Sequence, residues 1–151
     1  MDNRVFVGGS NTVIALDPAT GQRLGRILCG SSVRALCWNS TDNRVYAANY
    51  LSSSVTVIDA GTLRPIRTVR VPAGPVALLH NPENDLVYCA SAGLQPNLAD
   101  TVTVLDGATN QVVARVRVGQ APAALALNRL RNKLYVANSA GASVSVIDAA
   151  S

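Results

Sequence analysis

Residues with reactive side chains are few in this chain, and its acidic residues recur at a regular spacing. An aspartate ends a short Val-rich segment at four places: Asp17, Asp59, Asp106 and Asp148. Catalysis needs groups that converge at one place, and a catalytic residue seldom needs four copies. We therefore interpret these aspartates as structural residues whose side chains close turns.

The residues that do not recur carry more functional interest. His80 is the only histidine, so it cannot form a His-rich metal site, and no Cys/His cluster has ligand spacing. Trp38 stands at the position equivalent to His80 in another copy, where it either lines a pocket or packs between elements. The serines lack a Gly-x-Ser-x-Gly setting, and no helix is expected after Gly8-Gly9. The sequence therefore predicts no catalytic residue, no metal and no cofactor.

Three cysteines are present, an odd number without a Cys-x-x-Cys pair. Cys37 and Cys89 occupy positions where other copies carry apolar or small residues, so we interpret them as small buried hydrophobic residues. Cys29 and Cys37 could approach each other across a junction between elements. A disulfide between them stays open at this point, because spacing alone does not show one.

The composition is that of a packed globular chain. Of its 151 residues, 48% are hydrophobic and 15% are charged, and Lys+Arg exceeds Asp+Glu by 13 − 9 = 4. The arginines are spread along the chain instead of forming a basic run, so we expect no nucleic-acid partner. No apolar run is long enough to span a bilayer. Residues 1–4 lead directly into a predicted strand, from which we expect no signal peptide.

Four copies of a β-rich repeat account for the recurring residues. An aromatic residue opens each copy, and it recurs after 40, 42 and 47 residues. The opening phrases are Phe6-Val7-Gly8-Gly9, Tyr46-Ala47-Ala48-Asn49, Tyr88-Cys89-Ala90-Ser91 and Tyr135-Val136-Ala137-Asn138. A period near 40 built from short strands is typical of a β-propeller.

Alignment on the aromatic residue predicts four strands per blade, A to D from inside to outside. The fold class is therefore all-β: a partial β-propeller of about three and a half four-stranded blades, with strands B-C-D, A-B-C-D, A-B-C-D and A-B-C. Residues 1–151 form a single repeat array. Its predicted stretches are a partial blade 1–30, blades 31–72 and 73–119, and a partial blade 120–151.

One copy contains an insertion. From Tyr88 to Asp106 is 18 residues, against 13 from Tyr46 to Asp59, and the five extra residues lie in the predicted B–C loop at residues 91–100. Insertions in repeat proteins map to loops on one face, often the binding face. The candidate binding residues on this loop face are Leu94, Gln95, Pro96 and Asn97, with Tyr50, Leu51, Trp38 and His80.

The phrase Tyr-x-x-Asn, followed by Val-x-Val-Ile-Asp and a strand bounded by Gly or Pro, resembles the YVTN-type (WD40-like) β-propeller repeat. Tyr135-Val136-Ala137-Asn138 carries the resemblance most fully, and the likeness extends over essentially the whole chain. It implies a propeller of about seven blades in a periplasmic or cell-surface setting. Such repeats also occur beside lactonase and redox propellers, so the resemblance leaves the activity open.

Two functions follow as hypotheses. The first is a non-enzymatic propeller scaffold for protein or glycan binding and self-assembly, either as a homo-oligomer or as a fragment of a larger propeller. The alternative is part of a lactonase-like or redox-cofactor propeller enzyme that needs further blades or partner chains. A purely structural array without a ligand is a third reading. Partial blades at both ends expose apolar faces, so we expect self-association or further blades.

Overall fold

The computed structural model describes residues 3–150, and all regular elements in that range are β-strands. Met1, Asp2 and Ser151 lie outside the described residues. The expectation for the start of the chain and the outer limits of the first and last predicted blades therefore fall partly on residues without a structural description. Residues 3–150 contain no helix that could cross a membrane.

Fourteen strands form four antiparallel sheets. Blade 1 contains β1 (Val5–Gly8), β2 (Thr12–Leu16) and β3 (Arg23–Leu28). Blade 2 contains β4 (Val33–Asn39), β5 (Arg44–Asn49), β6 (Ser54–Asp59) and β7 (Arg64–Arg70). Blade 3 contains β8 (Pro75–Asn81), β9 (Leu86–Leu94), β10 (Asn97–Asp106) and β11 (Val112–Arg117). Blade 4 contains β12 (Pro122–Asn128), β13 (Lys133–Asn138) and β14 (Ser143–Asp148).

The sheet order confirms the predicted all-β partial propeller. Each strand pairs with its neighbours in sequence, which gives sheets of three, four, four and three strands. Strands β4, β8 and β12 contact one another from blade to blade, as the inner A strands of a propeller do. Branched residues such as Val and Ile favour these strands because they suit a pleated, half-buried surface.

The insertion is ordered differently from the prediction. Residues 91–100 were expected to form a loop, but β9 continues to Leu94 and β10 starts at Asn97, so most of the segment lengthens a hairpin. Leu94 pairs with Asn97 and Gly93 pairs with Leu98, while the register shifts between Leu98 and Thr101. The backbone groups of the inserted residues are thus paired across the hairpin, and the turn is confined to Gln95-Pro96.

Three buried clusters fill the junctions between adjacent blades. Strands B and C of one blade meet strand B of the next, as Val55 and Val57 of blade 2 meet Val87 of blade 3 in one of these clusters. The outer faces of the end blades have no such cover among residues 3–150. Tyr135 of blade 4 is 38% exposed, whereas the equivalent Tyr46 of blade 2 is 0% exposed. Burial along the array therefore depends on having a neighbouring blade.

Candidate functional site

The connections between strands lie at two ends of the blades. We call the end that carries the B–C and D–A connections the hairpin end, because the extended β9–β10 hairpin is there. We call the end that carries the A–B and C–D connections the turn end. Successive strands are antiparallel, so residues at opposite ends of one strand lie at opposite ends of the blade.

The β9–β10 hairpin is fixed at its base and exposed at its tip. The amides of Ala92 and Gly93 donate to the carbonyl oxygens of Gly74 and Ala73, both at 2.9 Å. Gly74 adopts a φ of 66°, and a Cβ there would collide with the backbone of Gly93. The hairpin base therefore packs backbone to backbone against the D–A crossing.

The tip of the hairpin consists of the residues predicted to bind a partner. Gln95, Pro96 and Asn97 are exposed, Leu94 is partly buried, and the Gln95-Pro96 peptide bond is cis. These four residues lie together at the hairpin end. Whether they bind a ligand stays a prediction.

Tyr50 and Leu51 occupy the shorter B–C turn of blade 2, also at the hairpin end. The Arg34 guanidinium lies 4.7 Å from the centroid of the Tyr50 ring, a distance that permits a cation–π contact. Leu51 is 60% exposed and borders a shallow depression of about 540 Å³, which also contacts Arg34 and Gly9. Together with Arg34, the two residues thus add an apolar and cationic surface to the hairpin end.

Trp38 and His80 lie at the turn end, away from the other six candidates. Trp38 pairs with Val45 next to the A–B turn, whereas Val33, at the other end of β4, pairs with Asn49 beside Tyr50. Trp38 lies five residue steps along the strand from Val33, about 16 Å away. The eight predicted residues therefore do not form one surface, because A strands end at the turn end.

His80 belongs to a polar cluster between blades 2 and 3. Its side chain is buried, and its Nε2 lies 3.0 Å from Asp85 Oδ1, which also accepts a 2.7 Å hydrogen bond from Asn39 Nδ2. Burial raises the pKa of the nearby Asp42, and a hydrogen bond and the charge of Asp85 raise it further, while Arg44 opposes the shift. The cluster joins two blades and holds two carboxyl groups close together.

The four recurrent aspartates close turns, as predicted. Asp17, Asp59 and Asp106 each accept a 2.7 Å hydrogen bond from a backbone amide two or three residues later, and Asp148 accepts one at 3.1 Å. The Thr109 hydroxyl and amide lower the pKa of Asp106, and the Thr62 amide lowers that of Asp59. These carboxylates are occupied with local backbone groups.

Asn49 and Asn138 hold strand B to strand C of the same blade. Asn49 Nδ2 donates to Ser54 Oγ at 3.0 Å and to Thr56 Oγ1 at 2.9 Å. Asn138 makes the equivalent bonds to Ser143 and Ser145. The amide of the repeat phrase therefore crosslinks two strands next to the hairpin end.

Two contacts between blades were missed by the sequence reasoning. Arg4 Nη1 donates to the carbonyl oxygens of Ala60 and Gly61, at 2.5 Å and 2.9 Å, and the equivalent Arg44 donates to those of Gly107 and Ala108. In both copies the arginine stands two residues before the aromatic residue. Comparison of the first two repeats could have revealed this signal.

The cysteines are free thiols. Burial raises the pKa of Cys37 to about 11 and that of Cys89 to about 12, as expected for small buried hydrophobic residues. Cys29 and Cys37 pack against different buried clusters, so the disulfide that the sequence left open is absent. In residues 3–150, no group of three or more His, Cys, Asp or Glu side chains is arranged to hold a metal ion.

Comparisons with known proteins agree with this architecture. A family model described as YNCE-like beta-propeller matches residues 3–151. The fold is similar to a solved chain titled Kuenenia stuttgartiensis Hydrazine Synthase, with a TM-score of 0.87 and 19% sequence identity. That match covers 96% of this chain and 42% of the other, so this chain spans less than half of its length. A comparison with curated proteins finds no significant match.

The structural likeness at this level of identity shows the fold and nothing about activity. The family match supports a β-propeller identity over nearly all of the sequence, in agreement with the four sheets and the repeat phrases. This chain belongs to the YNCE-like β-propeller family.

Proposed function

We propose that this chain is a non-enzymatic binding scaffold that recognises a protein or glycan through the hairpin end of its blades. The extended β9–β10 hairpin carries the proposal, because among residues 3–150 it is the one B–C connection that is longer than that of its sister blades. Its tip exposes Gln95, Pro96 and Asn97, and its base is fixed by two backbone hydrogen bonds to the D–A crossing. A fixed projection with an exposed tip is suited to recognition, because a hairpin that is already ordered loses little conformational entropy on binding.

The test replaces the insertion with the sequence of its shorter sister turn. Residues 92–100 are exchanged for Tyr-Leu-Ser-Ser, the four residues that stand at 50–53 in blade 2. The full chain and this variant are screened against protein and glycan arrays. We expect ligands of the full chain to lose their signal with the variant.

Leu130→Ser is the matched control, because Leu130 is exposed and lies at the turn end. It should leave the array signals unchanged. Ligands that bind the shortened variant as well as the full chain, or that are lost equally in the control, would refute the role of the hairpin.

We also propose that the arc is completed by further strands, either in a homo-oligomer or in the remaining blades of a larger propeller of YVTN-type repeats. The exposed apolar face of blade 4 supports this, since Tyr135, Val144 and Val146 stand where other blades carry buried residues. Sedimentation of the purified chain should show self-association. A stable and well-folded monomer at micromolar concentration would contradict completion by copies of the chain.

The polar cluster at the turn end favours a second candidate, part of a lactonase-like or redox-cofactor propeller enzyme. His80 Nε2 lies 3.0 Å from Asp85 Oδ1, and the pKa of Asp42 is raised. A histidine paired with a carboxylate and a carboxyl group with a shifted pKa are both features of catalytic sites. Lactone hydrolysis that His80→Ala abolishes without unfolding the protein would support this candidate. If the protein hydrolyses lactones and His80→Ala leaves that activity unchanged, the polar cluster has no part in catalysis.

A further inference from the structure

Strand β1 has an unpaired inner edge. Among the described residues it pairs only with β2, whereas the equivalent strands β5, β9 and β13 each pair on both sides. A free row of backbone N–H and C=O groups is a template for another strand. Val5 and Val7 alternate with Phe6 along β1 and are exposed, so the sheet face that points away from blade 2 also presents apolar side chains.

A cavity of about 650 Å³ lies beside this edge, between blades 1 and 2. Its apolar wall includes Phe6, Leu36, Cys37 and Trp38, and Trp38 is 50% exposed. At the next junction along the array, strand A of the earlier blade closes this position. There Cys37 of β4 packs in a buried cluster with Leu78 of β8. The cavity therefore corresponds to the place of an A strand.

The turn end of the cavity carries a polar group with a known role in the other blades. Asn43 lines the cavity and is equivalent to Asp85 and Asn132. Asp85 accepts a 2.7 Å hydrogen bond from Asn39, and Asn132 accepts a 2.9 Å hydrogen bond from Asn81. In both cases the donor is the asparagine that ends strand A of the preceding blade. Asn43 is thus placed to accept from an asparagine at the end of an incoming strand.

We propose that β1 and this cavity form the docking site for an A-type β-strand supplied by the polypeptide that carries the adjoining part of the propeller. The incoming strand runs antiparallel to β1, as β4 does to β5. By the register of β4 on β5, it places an asparagine opposite Arg4 and an apolar residue opposite Phe6. This inference rests on the proposal that the arc is completed by further strands, and it specifies the strand.

The test uses a capped peptide with the sequence of this chain's own β8 region, residues 73–82, Ala-Gly-Pro-Val-Ala-Leu-Leu-His-Asn-Pro. The peptide contains no tryptophan, and Trp38 is the only tryptophan of the protein, so its fluorescence reports from the cavity wall. We expect a saturable blue shift of the Trp38 emission. A peptide with serine in place of Leu79 should bind more weakly, because it leaves the apolar cavity unfilled.

The asparagine contact is tested by a double-mutant cycle. Asn43→Gly removes the acceptor while permitting the positive φ of 54°, and a second peptide carries alanine in place of Asn81. Either change alone should weaken binding about fivefold, which corresponds to one hydrogen bond. Because both changes remove the same hydrogen bond, the variant protein should bind the alanine peptide little more weakly than it binds the parent peptide. Ala142→Gly, at a positive-φ position in the B–C turn of blade 4, is the matched control and should leave binding unchanged.

The outcomes separate this inference from the wider proposal. Absence of a Trp38 response at millimolar peptide, or binding that ignores both asparagine changes, would overturn the docking site. A dimer that shields Trp38 from acrylamide and excludes the peptide would also overturn it, since the cavity would then hold a second copy. If the chain self-associates with Trp38 still accessible and the peptide does not bind, completion of the arc stands and the strand inference alone fails.

Discussion

The hydroxyl of Tyr46 in blade 2 donates a 2.7 Å hydrogen bond to Asn110 Oδ1, in the C–D turn that precedes the outer strand of blade 3. The equivalent pair one junction earlier is Phe6 and Leu63, in which both polar groups are replaced by apolar ones. Leu63 and Asn110 both adopt a φ of 58°, so the two pairs occupy the same backbone geometry. The aromatic residue and its partner in the next blade thus change together.

Tyr88 of blade 3 provides the comparison for a first prediction. It is 1% exposed, and within residues 3–150 its hydroxyl has no partner at hydrogen-bonding geometry, although Asn84 and Asn81 lie near enough to affect its pKa. We expect Tyr46→Phe to lower the free energy of unfolding by about 1–2 kcal/mol, because Asn110 loses its partner. Tyr88→Phe should change it by less than about 0.5 kcal/mol.

Urea unfolding of both variants measures this difference. The double variant Tyr46→Phe with Asn110→Leu rebuilds the apolar pair of the first junction and should recover part of the loss. Equal losses for Tyr46→Phe and Tyr88→Phe would show that the hydroxyl bond to Asn110 contributes nothing to stability.

A second prediction concerns the arginine that joins blades 2 and 3. Arg44 donates to the carbonyl oxygens of Gly107 and Ala108 and is largely buried between the blades. Arg44→Gln should lower the free energy of unfolding by about 1–2 kcal/mol, since two charge-assisted hydrogen bonds are lost. Arg67→Gln, on the exposed strand β7, is the control and should cost less than about 0.5 kcal/mol in the same urea titration.

Two glycines with similar backbone angles separate strain from collision. Gly21 and Gly74 have φ values of 70° and 66°, but a Cβ at Gly21 meets no atom within 4 Å, whereas one at Gly74 collides with Gly93. Gly21→Ala should cost about 1 kcal/mol from the left-handed backbone alone. Gly74→Ala should cost about 3 kcal/mol, because the hairpin base must also move.

Thermal unfolding compares the two glycine variants, and amide exchange reports on Ala92 and Gly93. We expect faster exchange at these amides in Gly74→Ala only, because their hydrogen bonds hold the hairpin to the D–A crossing. Similar losses in the two variants would mean that the hairpin base yields without cost.

A fourth prediction uses two aspartates whose pKa values shift in opposite directions. Burial and Asp85 raise the pKa of Asp42 above 3.8, so its charged form destabilises the folded state. Asp42→Asn should therefore be more stable than the parent chain at pH 7. This advantage should shrink as the pH falls through the folded pKa of Asp42. It should be absent below the unfolded value of 3.8, where Asp42 is protonated in both the folded and the unfolded state.

Asp106 should behave in the opposite way. The Thr109 hydroxyl and amide lower its pKa below 3.8, so the stabilisation by its carboxylate is present above that pH and is lost as the pH falls through the folded pKa. Asp106→Asn should be less stable than the parent chain at pH 7 and approach it in acid. Urea titrations from pH 2.5 to pH 7 measure the free energy of unfolding of both variants. Differences from the parent chain that have the same sign for both variants at pH 7 would contradict the opposite pKa shifts.

Much of the fold could be predicted from the sequence, because the same strand pattern is present in four copies. Phe6, Tyr46, Tyr88 and Tyr135 align four copies of one strand pattern, and the predicted strand order agrees with the four sheets. Asn39 and the recurrent aspartates were predictable as turn residues, since their side chains bond backbone amides two or three residues away. Local interactions of this kind are encoded within a few residues.

The candidate site was less accessible, because it depends on contacts between distant residues. The insertion was located correctly at residues 91–100, but its pairing into a longer hairpin depends on cross-strand bonds and on Gly74. Trp38 and His80 were grouped with the loop residues, although the direction of the A strands carries them to the opposite end of the blades.

The sequence by itself determined the strand order, the phase of the repeat and the residues that close the turns, because each rests on local patterns present in several copies. Tertiary structure alone decided which residues meet across a junction. Tyr46 reaches Asn110 across 64 positions of sequence, and Arg4 reaches Gly61 across 57. Among residues 3–150 it also places the unpaired inner edge of β1 beside Trp38. These relationships arise from the stacking of one sheet on the next, which brings together side chains that no short segment of sequence contains.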